Sequence, residues 1–254
     1  MLNDLKGSHN RRIPASPYFF SLILIISLAV LISQSACFFK KKVNPQPVSV
    51  SPIRVVLLPF TVPQNDKDLR WAALAAPILM AKVSEHAQGL EVVPFWESMP
   101  TAINAAGASR TFTEESAASI ATWHAAKWTV WGELAPSKNG YSVTVDFIPS
   151  RSNLVPFRYL KSGKLDSIGA GFYDAYNQFL RYLVSKPLEP AKTSDFTLTS
   201  MKDLAEALDR EYGWFAEAEP GKAQDAATNL LRSDEALARS LFSPALYPLL
   251  AKNK

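Results

Sequence analysis

The sequence predicts an α/β fold: a small mixed sheet with flanking helices, followed by an α-helical C-terminal region. Three observations carry this. Val55-Val-Leu-Leu58 is apolar without alternation, as in a strand covered on both faces. Lys127–Leu134 and Tyr141–Ile148 alternate, and Ser137-Lys-Asn-Gly140 between them holds the Asn-Gly pair that favours a tight hairpin. Around these strands run segments of helical period, the thickest holding Phe172, Tyr173, Tyr176, Phe179 and Tyr182.

The elements follow in order. Arg54–Phe60 is the first strand, and Pro59 ends its ladder on one side. Asp66 or Asp68 caps a helix whose inner face is Trp71, Leu74, Ile78, Leu79 and Val83. Pro77 inside it predicts either a kink or the first turn of a second segment. His86 sits at its C-terminal end, where a cation suits the dipole, and Gln88-Gly89 closes it. Leu90–Pro94 is the second strand, and Met99–Ala106 a short helix ending at Gly107. Thr113 caps the next helix, with Glu114 and Glu115 in its first turn and Ile120, Trp123 and His124 on or near its inner side. Phe157–Leu160, behind Pro156, adds an edge strand. Asp166 or Ser167 caps a helix through Val184, and Lys186–Pro190 is a hinge.

The C-terminal region is helical. One helix covers about 201–218, stops at Glu219-Pro-Gly221 and resumes to about Arg232. Ser200-x-x-Asp203 resembles a capping box at its start. Ser233 caps a third helix to Phe242, and Ser243-Pro244 a fourth, with Pro at the first helical position. No 34-residue repeat holds along the chain. The expected division is therefore 1–36 leader, 37–53 stalk, 54–187 α/β domain and 195–254 helical tail.

Bulk composition excludes several function classes. The 254 residues are 48% hydrophobic and 20% charged, enough for a real core. The formal charge is +4, but Lys6, Arg11 and Arg12 against Asp4 in residues 1–36 leave 24 basic and 22 acidic residues beyond. A body so weakly charged is not expected to bind nucleic acid. One cysteine rules out a disulfide framework and a Cys-based zinc site.

The leader sets the address. Tyr18–Ile32 is a fifteen-residue apolar core behind Arg11-Arg12, followed by small residues and Cys37. This layout resembles a bacterial lipoprotein signal, in which the cut precedes the cysteine and the cysteine is lipidated. Ala36 and Ser35 fit the positions before the cut, while Gln34 stands where the family has an apolar residue. Phe38 after the cysteine implies, by the same resemblance, the outer membrane. Two alternatives stay open. The 22 uncharged residues Tyr18–Phe39 suffice for an uncleaved span, and Lys40-Lys41-Lys42 suits its end. An ordinary signal cut nearby would free the protein instead. Residues 40–53, with Pro45, Pro47 and Pro52, form an extended stalk of about 40 Å.

The strand–helix–strand–helix–helix–hairpin–helix order, opened by Val55, Val56, Leu58, Pro59 and Phe60, is similar to the amino-terminal domain of TolB. The same small domain occurs in curli-secretion and flagellar lipoproteins and in lipoprotein activators of penicillin-binding proteins. Leu90-Glu-Val-Val matches the family's second strand, and Ala126, Val130 and Gly132 match the run before its hairpin, where Lys127 replaces an acid. The resemblance covers about 54–185. It implies binding and assembly in the bacterial envelope and supplies no catalytic residues.

The polar residues that could carry chemistry all have bland readings. His86 and His124 are not at i, i+4, so a zinc site lacks its ligands. Glu114-Glu115 are first-turn acids, and Asp203, Glu206, Asp209, Arg210 and Glu211 a solvated helix face. No nucleophile elbow, P-loop or dinucleotide fingerprint occurs, and Gly169-Ala-Gly171 reads as flexibility at a helix start. The expectation is a protein that is not an enzyme, with no cofactor and no metal.

Two features suggest partner binding. Trp128 and Trp131, three apart in a strand, point to opposite faces, so one core cannot hold both. Either the tail covers one of them or a partner does. Phe242 and Tyr247 lie in a C-terminal stretch too apolar to hang free, which docks on the body or in a partner's groove. The functional expectation is a protein-binding or assembly lipoprotein held at a bacterial membrane and facing the periplasm. The alternatives are a helical-repeat-type scaffold subunit and a single-pass anchored protein of the same fold.

Overall fold

A computed structural model describes residues 51–63, 66–85, 87, 89–138, 140–151, 153–164, 167–183 and 198–248. Cys37 and the leader, His86, Asn139, Asp166 and the hinge at 186–190 lie outside the described residues. The architecture is mixed α/β. The elements are β1 (Ile53–Leu57), α1 (Lys67–Ser84), β2 (Leu90–Val92), α2 (Phe95–Ala106), α3 (Glu114–Trp123), β3 (Trp128–Ser137), β4 (Gly140–Pro149), β5 (Phe157–Gly163) and α4 (Ile168–Leu183). Then come α5 (Leu198–Tyr212), α6 (Gln224–Ser233), α7 (Glu235–Leu241) and a 3-10 turn at Pro244–Leu246.

The sheet order is β2-β1-β3-β4-β5. β1 lies parallel to both β2 and β3, and β3-β4-β5 is an antiparallel meander. The hairpin closes where Asn-Gly places it, with Ser137 opposite Gly140. β1 is buried from Val55 to Leu57, as its unbroken apolar run requires. α1 and α4 cover the face that holds Trp128, Val145 and Phe147, where Phe60 meets Phe172 edge-on at 5.2 Å. α3 covers the other face, where the Thr129 hydroxyl donates to the Ala117 carbonyl at 2.7 Å.

Local chemistry explains the helix ends. The Asp66 carboxylate accepts from the Leu69 amide at 3.1 Å and opens α1. Thr113 and Ser116 form a reciprocal capping box at the start of α3. Pro77 neither ends α1 nor starts a new segment: the helix runs through it. Proline removes the bond that would reach the Ala73 carbonyl, and the Phe60 amide takes that carbonyl at 3.0 Å. The lost helical bond is replaced by one to the strand-end loop.

Other boundaries differ from the sequence expectation. α2 starts at Phe95 rather than Met99, and β2 ends at Val92. The first tail helix begins at Leu198, ahead of Ser200, so Ser200 does not cap it. It ends at Tyr212 and not near 218, because Gly213 turns left-handed (φ 64°) and the Asp209 carboxylate accepts from the Phe215 amide at 2.7 Å. Asp234, not Ser233, caps α7, accepting from the Leu237 amide at 3.2 Å. Gly169 and Gly171 lie inside the helix, and a Cβ at Gly171 would meet the Tyr141 hydroxyl at 3.0 Å. The glycine at 171 serves close approach of α4 to β4 rather than flexibility.

The tail belongs to the same core. α5 packs along α1, and α7 touches α1 and α2. The Lys82 ammonium pairs with Glu85 at 2.8 Å and with Asp234, fixing α1 to the cap of α7. Burial alone would lower the Lys82 pKa, but the bonds to Asp234 and Glu85 outweigh it and leave it raised. The Trp96 indole donates to the Arg239 carbonyl at 3.1 Å. Arg110 holds the turn after α5: it donates to the Trp214 and Gly213 carbonyls at 2.9 and 3.0 Å, and its guanidinium lies over the Trp214 ring at 5.2 Å.

Candidate functional site

The two tryptophans of β3 do point to opposite faces, and both are packed within this chain. Trp128 is buried under α4, with Phe179 and Tyr182 edge-on at 5.3 and 6.1 Å. Trp131 is half-buried on the α3 side, edge-on to Phe112 at 5.8 Å. Phe112 in turn stacks on Trp214 of the tail at 5.7 Å and 14°. The tail thus reaches the second tryptophan through Phe112. Phe242 is fully buried, and the half-buried Tyr247 donates its hydroxyl to the Ala238 carbonyl at 2.7 Å. Trp128 and Phe242 are therefore core residues with no surface to offer a partner: of the two alternatives left open for them, packing within this chain is the one found. The described part of the C-terminal stretch docks on its own body: α7 packs on α1 and α2, and the 3-10 turn at Pro244–Leu246 packs on α6.

Trp123 is a correction to the sequence expectation. Its neighbours Ala117, Ile120, Ala121 and His124 form the buried stripe of α3 and the turn that follows it, at i, i+3, i+4 and i+7. Trp123 falls off that stripe and is 78% exposed. His124 is buried at the helix end, its Nδ1 3.5 Å from a Glu97 carboxylate oxygen. Its backbone carbonyl accepts from Arg54 at 2.7 Å.

What remains open is the side of the sheet formed by β5. Among the described residues no strand pairs with its outer edge, whereas the opposite edge strand, β2, has only three residues. Phe157 and Tyr159 turn toward α4, and Phe157 stacks on Tyr182 at 6.4 Å. Arg158, Leu160 and Ser162 point the other way and are exposed, Leu160 by 68%. Edge strands are usually blunted by charge. Here both charges of β5 are tied down within the fold: Arg158 pairs with the buried Asp146 of β4, and Lys161 with Asp174 of α4. The hydrogen bonds to these carboxylates raise the pKa of both cations. A seven-residue edge with an exposed leucine at its centre is left able to accept another strand. One signal in the sequence points to it: in Phe157–Lys161 an apolar Leu160 occupies the face that alternation assigns to polar residues.

Two grooves flank the turn after α5. One, about 350 Å³, is lined by Arg70, Trp71, Lys202, Glu206 and Phe215; the other, about 420 Å³, by Val62, Arg70, Ser109, Arg110 and Trp214. Their aromatic walls are side chains that already fasten the tail.

No protein-family model matches the chain, and no curated protein matches it in sequence. Solved structures do, in part. TolB from Acinetobacter baumannii is similar over 54% of this chain, with 14% identity and a TM-score of 0.37. This chain spans 29% of that TolB chain, less than a third of its length. The PelC dodecamer from Paraburkholderia phytofirmans matches over 53% of this chain and 89% of its own, with 12% identity and a TM-score of 0.32. The C-terminal domain of LpoB from Salmonella enterica matches over 46% and 87%, with 11% identity and a TM-score of 0.27. Each likeness is partial and says nothing of chemistry. No helix among the described residues is long and apolar enough to cross a membrane.

Proposed function

We propose that this chain is a non-enzymatic, membrane-anchored module of the bacterial cell envelope that binds an extended segment of a protein partner along β5. The observation that carries the reading is the outer edge of β5, with which no strand of the described residues pairs, and the exposed Leu160 at its centre. Strand addition takes affinity from main-chain hydrogen bonds and specificity from alternate side chains. Leu160 supplies an apolar contact beside an edge that offers the backbone groups. The Cys37 leader and the proline stalk support the envelope address, with the folded body on the periplasmic side.

The test uses the full chain in bacterial membranes with the photo-crosslinker p-benzoylphenylalanine in place of Ser162. A discrete protein adduct is expected, and Leu160→Lys should abolish it while changing folding stability by no more than about 0.5 kcal/mol. Absence of any protein adduct, or an adduct indifferent to Leu160→Lys, refutes the edge as the binding site. The mode of anchorage has its own measurement. Intact-mass analysis of the membrane-extracted protein is expected to show a chain beginning at Cys37 and carrying lipid. A full-length unmodified chain would instead make 18–39 a membrane span.

A further inference from the structure

Among the described residues, the large exposed apolar side chains other than Leu160 share one end of the sheet. β3 begins there at Trp128, opposite Pro149 at the end of β4, and Phe147 pairs with Phe157 at the start of β5. α3 ends at the same place with Trp123, and α4 ends there with Tyr182, whose ring touches Trp128 and Phe157. The loop from β4 to β5 contributes Val155. Trp123, Val155 and Tyr182 are 78, 74 and 58% exposed. Three exposed cations stand among them: Lys127 just before β3, Arg151 just after β4 and Arg181 in the last turn of α4. Among the described residues no carboxylate pairs with any of the three. The stalk also joins the body here, since β1 starts at Ile53 and Val55 lies opposite Trp128.

We propose that this end of the sheet rests on an anionic bilayer surface. Trp123, Val155 and Tyr182 sit in the headgroup layer, and Lys127, Arg151 and Arg181 lie against lipid phosphates. Amphipathic aromatic rings favour the boundary between headgroups and acyl chains, and clustered basic residues add attraction to anionic lipid. The chain itself argues for this occupant. In sequence the apolar leader and then the stalk run into β1, which starts at this end, so a leader held in a membrane tethers the body by this end. The core of a protein–protein interface is depleted of charge, whereas this end carries three exposed cations together with its exposed apolar side chains. The inference rests on the membrane-anchored reading above, and it makes the anchor and the body a two-point attachment.

The full chain, with p-benzoylphenylalanine in place of Trp123, Val155 or Tyr182 in turn, is reconstituted through its leader into phosphatidylcholine vesicles with and without phosphatidylglycerol. Irradiation is expected to give lipid adducts from all three positions, several-fold more with phosphatidylglycerol, and none from the equally exposed Leu160. Combined Lys127→Glu, Arg151→Glu and Arg181→Glu should lower the adduct yield by about threefold or more. Lack of lipid adducts in the anionic vesicles, or adducts only to another protein or to residues 184–197 of the same chain, overturns the proposal. A chain that fails to sediment with the vesicles overturns the anchorage as well; one that sediments without lipid adducts overturns this inference alone.

Discussion

Replacing Trp214 with alanine should cost about 3–5 kcal/mol of folding stability, the usual loss for a large aromatic side chain removed from a core. Trp214 is 1% exposed and lies 104 residues from Arg110, whose guanidinium covers its ring. Its ring also stacks on Phe112, and Phe112 meets Trp131 of β3. The residue therefore joins the tail, the loop before α3 and the sheet. Its removal leaves a cavity between the Arg110 guanidinium and the Phe112 ring. Urea denaturation of the full chain in mild detergent reads the loss as a lower midpoint. Trp214→Phe keeps a ring on Phe112 and should cost about 1–2 kcal/mol. A Trp214→Ala midpoint within about 1 kcal/mol of wild type would mean that the tail is not fastened through this residue.

The same residue marks the limit of what local sequence encodes. Strand and helix periods lie within ten or twenty residues, so the order of elements and the Asn-Gly hairpin are legible in the sequence itself. Which side chain covers which is a long-range matter. Trp131 carries no mark that distinguishes a partner surface from an internal one; its cover is Phe112 and, behind that, a tail residue more than eighty positions away. The passage of α1 through Pro77 is of the same kind, because it depends on an amide from the loop after β1. Gly213 is a visible stop signal, but the proline and glycine at 220–221 are a stronger one, and only the Asp209 bond to the Phe215 amide decides between them. The candidate site is half legible. Leu160 breaks the alternation of an edge strand in plain view. Trp123 does not stand out, because its neighbour His124, not Trp123, completes the buried stripe.

Stability should fall steeply above pH 10, and the cause lies in three tyrosines around the tail and α1, Tyr176 buried and Tyr212 and Tyr247 half-buried. Tyr176 hydrogen-bonds Ser84 at 2.7 Å, and Ser84 already donates to the Met80 carbonyl, so the Tyr176 hydroxyl is the donor of that pair. Tyr212 donates to the Leu241 carbonyl at 3.1 Å and Tyr247 to the Ala238 carbonyl at 2.7 Å. Burial holds all three phenols above their ordinary value, Tyr247 at about 12, and Glu211 adds to the rise at Tyr212. An ionised phenolate at 212 or 247 would face a carbonyl oxygen in place of donating to it. In the unfolded chain each loses its proton near pH 10. Between that pH and the folded pKa the native state binds more protons than the unfolded one, so stability declines as pH rises. Tyr176 and Tyr212 together give about 3 kcal/mol per pH unit; Tyr247, more open to solvent, adds less. Lys82 acts in the same direction, since its pKa is also raised. Urea midpoints of the full chain measured from about pH 8 to 12 should be flat to pH 10 and then fall. Tyr212→Phe should make the decline shallower, which separates the phenols from lysine titration. A midpoint that holds to pH 12, or a decline that Tyr212→Phe leaves unchanged, would show that these hydroxyls are not buried as donors in solution.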